Sequence, residues 1–490
     1  MALLAVLIVL LLCSVDGFSR RINSMPGVFE LTHRYSTKPG SNKSTNGTGI
    51  THEHMQLLKA HDRGRMVKLK SSAVSLPVEG VADPYIAGLY FTQVQLGTPP
   101  RTYNLQVDTG SDLLWVNCHP CIGCPAFSDL KIPIVPYDVK ASASSSKVPC
   151  SDPSCTLITQ ISESGCNDQN QCGYSFQYGD GSGTLGYLVE DVLHYMVNAT
   201  ATVIFGCGFK QSGDLSTSER ALDGIIGFGA SDLSFNSQLA KQGKTPNVFA
   251  HCLDGGERGG GILVLGNVIE PDIQYTPLVP YMSHYNVVLQ SISVNNANLT
   301  IDPKLFSNDV MQGTIFDSGT TLAYLPDEAY QAFTQAIVDA AATPPIGVTG
   351  NVCFVVRGSI YKLFPNVVLY FEGASMTLTP AEYLIRQASA ANAPIWCMGW
   401  QSMGSAESEL QYTIFGDLVL KNKLVVYDLE RGRIGWRPFD CSSTVDVSTD
   451  TGVKSFGGSG TFIRGQASGS SKLGQNVFLA LLTIFCVIVL

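Results

Sequence analysis

Charge is scarce in this chain. Asp, Glu, Lys and Arg make up 14% of its 490 residues, against about 25% in an average soluble protein. That scarcity excludes a disordered chain and a coiled coil, and no glycine periodicity suggests a collagen. A basic excess is missing too: 31 Lys and Arg face 40 Asp and Glu, a net charge of −9, so no nucleic-acid partner is expected. The two apolar ends, 1–12 and 477–490, fall short of the ~20 residues that cross a bilayer. Familiar hydrolase motifs are absent as well. His52-Glu53-His54 lacks the metalloprotease spacing, and there is no Gly-x-Ser-x-Gly.

What is present is apolar and glycine-rich, with 45% hydrophobic residues and 48 glycines, in a chain long enough to bury a large core. From about 81 to 441 the dominant period is two, punctuated by Gly, Pro and Asp. Tyr90 to Leu96 alternates before a turn at Gly97-Thr98-Pro99-Pro100, and Tyr103 to Val107 follows as a strand. Tyr174 to Tyr195 reads as a hairpin around Gly179-Asp180-Gly181-Ser182-Gly183. Helical pattern is confined to 232–242 and 326–342, where proline opens the helix and Asp and Glu fill its first turn. The glycine cluster at 255–261 reads as a hairpin turn. The fold class is all-β with few helices.

The ends and the cysteines point to the secretory pathway. Residues 1–17 suit a signal peptide, though no Lys or Arg precedes the apolar run. A head at 18–80 carries ten basic residues against four acids, whereas 81–490 carries 21 against 35. A Ser/Gly-rich linker at 442–476 and a terminal apolar tail at 477–490 fit a glycosyl-phosphatidylinositol signal, which places the protein on the extracellular face of the plasma membrane or, unanchored, outside the cell. Setting aside Cys13 and Cys486 in the apolar ends leaves twelve of 14 cysteines: Cys118, Cys121, Cys124, Cys150, Cys155, Cys166, Cys172, Cys207, Cys252, Cys353, Cys397 and Cys441. In an oxidising compartment these make six disulfides, of which only Cys353–Cys397 is assigned; the pairings number ~10⁴. The Cys118-x2-Cys121-x2-Cys124 spacing could hold zinc, but secretion favours oxidation, and neither a metal nor a cofactor is expected. Asn198 and Asn298 are glycosylation acceptors.

The most informative feature is an internal echo. Leu105-Gln106-Val107-Asp108-Thr109-Gly110-Ser111 is matched by Thr314-Ile315-Phe316-Asp317-Ser318-Gly319-Thr320. An apolar run follows each, and further on come Ile225-Ile226-Gly227 and Ile414-Phe415-Gly416. One Asp-Thr-Gly-Ser is an ordinary turn; two copies in the same setting imply two similar lobes, 81–280 and 281–441. If the lobes are related by a pseudo-two-fold axis, Asp108 and Asp317 face each other across a cleft. Two carboxylates so close hold one proton between them over a wide acidic range. The ionised member can take a proton from water while the protonated one donates to a carbonyl, which is general acid–base hydrolysis of an amide. Gln106 and Ile315, two residues before the aspartates, share their side of the strands, so the cleft is expected to be more apolar on the second lobe.

These motifs resemble those of the pepsin-like aspartic proteases, and within them the plant nepenthesin-like branch, over about residues 85–441. The likeness rests on the two Asp-Ser/Thr-Gly-Ser/Thr copies, Trp115 seven residues after Asp108, Gln177-Tyr178-Gly179-Asp180-Gly181-Ser182, and the cysteine-rich insert. It implies a bilobal, monomeric endopeptidase acting on polypeptides, with Asp108 and Asp317 as the dyad. Ser111 and Thr320 would bind the outer carboxylate oxygens, and Thr109 and Ser318, beside Gly110 and Gly319, would tie the loops together. Tyr178 and Gly179 would belong to a flap whose tyrosine reaches toward Trp115. The resemblance also implies a zymogen whose 18–80 prosegment inhibits the cleft, with Arg63, Arg65, Lys68 and Lys70 pairing with acids until acidification releases them. Plant relatives that inhibit polysaccharide-degrading enzymes share the cysteine content but typically lose an aspartate or the flap tyrosine. All three residues are present here.

Overall fold

Burial that alternates with period two is what holds the segment Gly183–Met196 in an extended strand: one face packs inward while the other stays half-exposed. The same logic repeats along most of the chain. The computed structural model describes residues 73–84, 88–162, 165–196, 199–256, 259–309, 312–348, 351–390, 393–404, 411–449 and 452–457. Residues 1–72, Asn198 and the tail 477–490 lie outside them, and with them the signal peptide, Arg63, Arg65, Lys68, Lys70 and the anchor signal. Among the described residues no helix is long and apolar enough to cross a membrane.

A 14-stranded sheet forms the backbone of the molecule. Part of its order is Trp115–Ile122, Gly224–Gly227, Arg101–Asp108, Leu89–Leu96, Val74–Val81, Gly261–Leu265, Val248–Leu253, Lys423–Asp428 and Arg433–Pro438. Strands from the last third of the chain therefore continue a sheet begun by the first. Arg101–Asp108 runs parallel to Gly224–Gly227, and Trp115–Ile122 runs antiparallel to the same strand. A five-stranded sheet repeats this arrangement: Gln312–Phe316 is parallel to Gln411–Phe415, and Ala323–Leu325 is antiparallel to it. The sequence echo is thus a repeated three-strand unit, one in each lobe.

The helices read from sequence occur at Phe235–Lys241 and Asp327–Ala340, the latter with Pro326 as its N-cap and Asp327 and Glu328 in the first turn. A further helix, Pro153–Ile161, sits in the cysteine-rich insert, started by Asp152 accepting the Ser154 N–H at 2.8 Å. Cysteines masked its apolar period in the sequence.

Two expected boundaries differ from the structure. Val74–Val81 crosses the limit at 80 and pairs with both Leu89–Leu96 and Gly261–Leu265, because Val74 and Val78 bury their side chains in the sheet's core. Thr444–Thr449 and Gly452–Gly457 form a hairpin where a linker was expected, since Val445 and Val447 alternate inward and are fully buried. Among the described residues six disulfides form: Cys118–Cys207, Cys121–Cys124, Cys150–Cys166, Cys155–Cys172, Cys252–Cys441 and Cys353–Cys397. The last joins residues directly opposite on neighbouring strands. The Cys118-x2-Cys121-x2-Cys124 sulfurs, set against zinc above, are all engaged in these bonds. Asn298 is exposed at the end of a short strand.

Candidate active site

Arg101–Asp108 is held by parallel pairing with Gly224–Gly227 and Gln312–Phe316 by parallel pairing with Gln411–Phe415, and the chain turns at the end of each. The first turn is pinned by the Phe228 N–H to Asp108 O at 2.7 Å and the Gly229 N–H to Ser111 O at 2.8 Å; the second by the Asp417 N–H to Thr320 O at 2.8 Å. Within each turn the carboxylate is held alike. Gly110 N–H donates to Asp108 Oδ1 at 2.8 Å and the Ser111 hydroxyl to Oδ2. Gly319 N–H donates to Asp317 Oδ1 at 2.8 Å and Thr320 Oγ1 to Oδ2 at 2.6 Å.

The loops are laced to each other by their middle residues. Thr109 N–H donates to Ser318 Oγ at 3.2 Å and Ser318 N–H to Thr109 Oγ1 at 3.0 Å. The hydroxyls then donate onward, Thr109 to Phe316 O at 3.2 Å and Ser318 to Val107 O at 2.9 Å. This lattice presses each acid against the other loop's glycine. A Cβ on Gly110 would stand 2.4 Å from Asp317 Oδ1, and one on Gly319 would stand 2.3 Å from Asp108 Oδ1. Only hydrogen fits there.

The two carboxyl groups hydrogen-bond each other, and the Asp108 acid is pushed up to about 7. Burial is the larger cause and the Asp317 charge the next, while the Ser111 and Gly110 hydrogen bonds oppose them.

Tyr178 lies just beyond the strand Gly173–Gln177, and its backbone closes the hairpin tip through the Gly181 N–H to Tyr178 O at 2.9 Å. Its hydroxyl accepts the Trp115 indole N–H at 2.8 Å. Gly179 is exposed beside it. Gln106 and Trp115 line a small pocket with Asn117, Leu222, Ile225 and Arg220. Gln106 is half-buried and donates its amide to Gly319 O at 3.2 Å, whereas Ile315 is 5% exposed.

Sequence reasoning passed over one acid beside this pair. Asp417 directly follows the apolar-apolar-Gly of the second lobe, and that adjacency was the available signal. Its side chain is 1% exposed, and neither carboxylate oxygen has a hydrogen-bond partner. Burial first, then the charges of Asp317 and Asp108, hold its carboxyl well above the usual range, with Lys421 opposing. An unfolded chain ionises this group near the ordinary carboxylate value, so the folded state gains from it only while it is protonated. That contribution is complete below about pH 4 and is lost as pH climbs toward the folded value. Asp417→Asn is therefore expected to gain at least about 1 kcal/mol at pH 7.5 and nothing at pH 3.5. Urea midpoints at the two pH values check this, and equal shifts at both would refute it.

Comparison with known proteins matches 90–267 to a profile described as xylanase inhibitor N-terminal and 284–438 to one described as xylanase inhibitor C-terminal. Aspartic proteinase 36 of Arabidopsis thaliana is 40% identical over 437 residues, covering 87% of this chain and 86% of the relative. Aspartic proteinase nepenthesin-2 of Nepenthes gracilis is 30% identical over 402 residues, covering 79% and 86%. Among solved structures, the crystal structure of edgp is similar in fold, with a TM-score of 0.60 at 22% identity over 76% of this chain and 95% of that one.

Proposed function

Because the chain belongs to the pepsin-like aspartic protease family, in its nepenthesin-like branch, we propose that it is an endopeptidase hydrolysing polypeptides at acidic pH with Asp108 and Asp317 as its catalytic dyad. One observation carries this reading: each carboxylate sits against the opposite loop's glycine, and burial with the Asp317 charge pushes the Asp108 carboxyl up to about 7. A water held between them loses its proton to the ionised acid as it attacks the scissile carbonyl. The other acid protonates the carbonyl oxygen, giving a tetrahedral diol, and the proton passed to the pair then goes to the leaving amine. Ser111 and Thr320 keep the outer oxygens in their accepting state, and the Thr109–Ser318 lacing fixes the spacing. Tyr178, steadied by Trp115, closes over the substrate.

The same reading takes 18–80 as an inhibitory prosegment, the protein as a monomer carrying glycans at Asn198 and Asn298, and 477–490 as the signal for a lipid anchor on the extracellular face of the plasma membrane. A catalytically silent inhibitor is the second reading, favoured by the profiles' descriptions; the presence of both aspartates and Tyr178 speaks for the enzyme. Digestion of an unfolded polypeptide tests the choice. Cleavage is expected at acidic pH, blocked by a pepstatin-type inhibitor. It falls as pH rises through about 7, where loss of the shared proton removes the acid that serves the carbonyl. No cleavage at any pH between about 2 and 8 after acid treatment, together with inhibition of a xylanase, would establish the silent reading instead.

A further inference from the structure

Beneath the dyad lies a buried polar chain that the mechanism above does not use. Tyr427 is on the strand Lys423–Asp428, opposite Phe249 on Val248–Leu253. Its ring stacks on Phe249 at 4.4 Å and 5° and meets Tyr285 at 4.9 Å. Its hydroxyl donates to Thr109 Oγ1 at 3.4 Å, and His251 Nε2 lies 3.1 Å behind that hydroxyl. Tyr427, His251 and Thr109 are all fully buried.

The chemistry of this chain allows one assignment of protons. Thr109 Oγ1 donates to Phe316 O, so toward Tyr427 it can only accept. The tyrosine proton therefore points at Thr109, and the phenol oxygen is left to accept from His251 Nε2–H. His251 Nδ1 has no partner. A bare lone pair there costs less than a buried orphan N–H, and burial keeps the ring neutral by pushing its pKa down to about 3. Ring stacking fixes where Tyr427 can place its oxygen, and the strand pairing fixes the ring.

We propose that Tyr427, backed by His251, is a positioning residue: its hydroxyl holds the Thr109 hydroxyl in the orientation that laces the two aspartate loops. The inference rests on the peptidase reading for its kinetic consequence, though not for its geometry. Thr109 Oγ1 accepts the Ser318 N–H and donates to Phe316 O, so freedom at Thr109 loosens both links it makes to the second loop. The acids then separate and share their proton less firmly.

The groups facing this chain are few. Tyr427 sees the charges of Asp317 and Asp417, and Asp417 sees Lys421. Tyr285 turns its hydroxyl to Phe228 O and Gly229 O. Asp108 faces Asp317 and Tyr178. With its pKa pushed down to about 3, His251 is neutral across the alkaline limb near pH 7, so a change in that limb on altering Tyr427 reports on loop spacing.

The test is Tyr427→Phe in the full chain after acid treatment, beside Tyr383→Phe. Tyr383 is an equally buried tyrosine whose hydroxyl donates to Pro365 O at 2.6 Å in the second lobe. Tyr427→Phe is expected to lower kcat about three- to tenfold, the worth of one hydrogen bond, with KM within about twofold. It also moves the alkaline limb of kcat/KM to lower pH, because a more distant Asp317 charge raises the Asp108 carboxyl less. Tyr383→Phe is expected to move neither quantity, whatever it does to the melting temperature. A Tyr427→Phe enzyme with parental kcat and an unmoved limb overturns the proposal. Should the parent itself cleave nothing, the peptidase reading fails, and nitrogen-15 spectra of the histidine rings still decide the geometry. The proposal requires His251 as the Nε2–H tautomer, with that proton's resonance shifted by Tyr427→Phe; a His251 signal that does not respond overturns it.

Discussion

Replacing either dyad member with its amide, Asp108→Asn or Asp317→Asn, is expected to lower kcat by about 10³–10⁴-fold. The amide keeps the shape of the acid and can still accept the Gly110 or Gly319 N–H that positions Oδ1. It cannot take a proton from water or pass one to a carbonyl, and either loss alone stops the cycle. In Asp317→Asn the Asp108 carboxyl also loses the neighbouring charge that helps raise it, so its affinity for a proton drops. Stability should hold or improve at neutral pH, since the Asp108 and Asp317 carboxylates no longer repel each other. Single-turnover cleavage of a fluorogenic peptide and a thermal melt, run side by side, check both halves of this expectation. A variant that keeps more than about a tenth of parental kcat would remove the dyad from the mechanism.

Gly319→Ala and Gly110→Ala are expected to cost about 10²-fold in kcat although neither glycine gives or takes a proton in the reaction. The added methyl would stand 2.3 Å or 2.4 Å from the opposite carboxylate, nearly 1 Å inside the closest ordinary approach, and displacements on that scale carry penalties of this order in catalysis. Both neighbours are fixed: the carboxylate by its hydroxyl and N–H donors, and the loop backbone by the Thr109–Ser318 lacing. The pair must separate, and the effect should fall on kcat more than on KM, because the rest of the cleft is unchanged. Kinetics at the acidic optimum decide the matter, and activity within about threefold of the parent would mean that the loops are looser than this lacing implies.

How much of this was readable in advance depends on the range of the interaction. The aspartate loops were legible because their chemistry is local: a strand, an acid, a glycine and a hydroxyl within four residues, written twice. The Tyr178–Trp115 contact spans 63 residues and came from family resemblance, not from any period or spacing. Asp417 was half-legible, marked by the Ile414-Phe415-Gly416 that precedes it, but nothing local says that its carboxylate would go unpartnered. Tyr427 and His251 were not legible at all. They meet Thr109 only because Lys423–Asp428 pairs with Val248–Leu253, a partnership between distant strands whose patterns suit many neighbours. The hairpin Thr444–Gly457 was lost to composition, since Ser, Thr and Gly also write linkers; only the inward Val445 and Val447 distinguish it.

That same pairing dictates when the molecule can be finished. Val248–Leu253 waits for Lys423–Asp428, and Thr109 waits for Tyr427. A nascent chain holding only the first aspartate therefore emerges from the ribosome with one side of its main sheet bare and nothing beneath the loop. The floor under the first acid closes only after the residues that carry the second have been made. A half-built copy thus presents an open strand edge that calls for protection during synthesis.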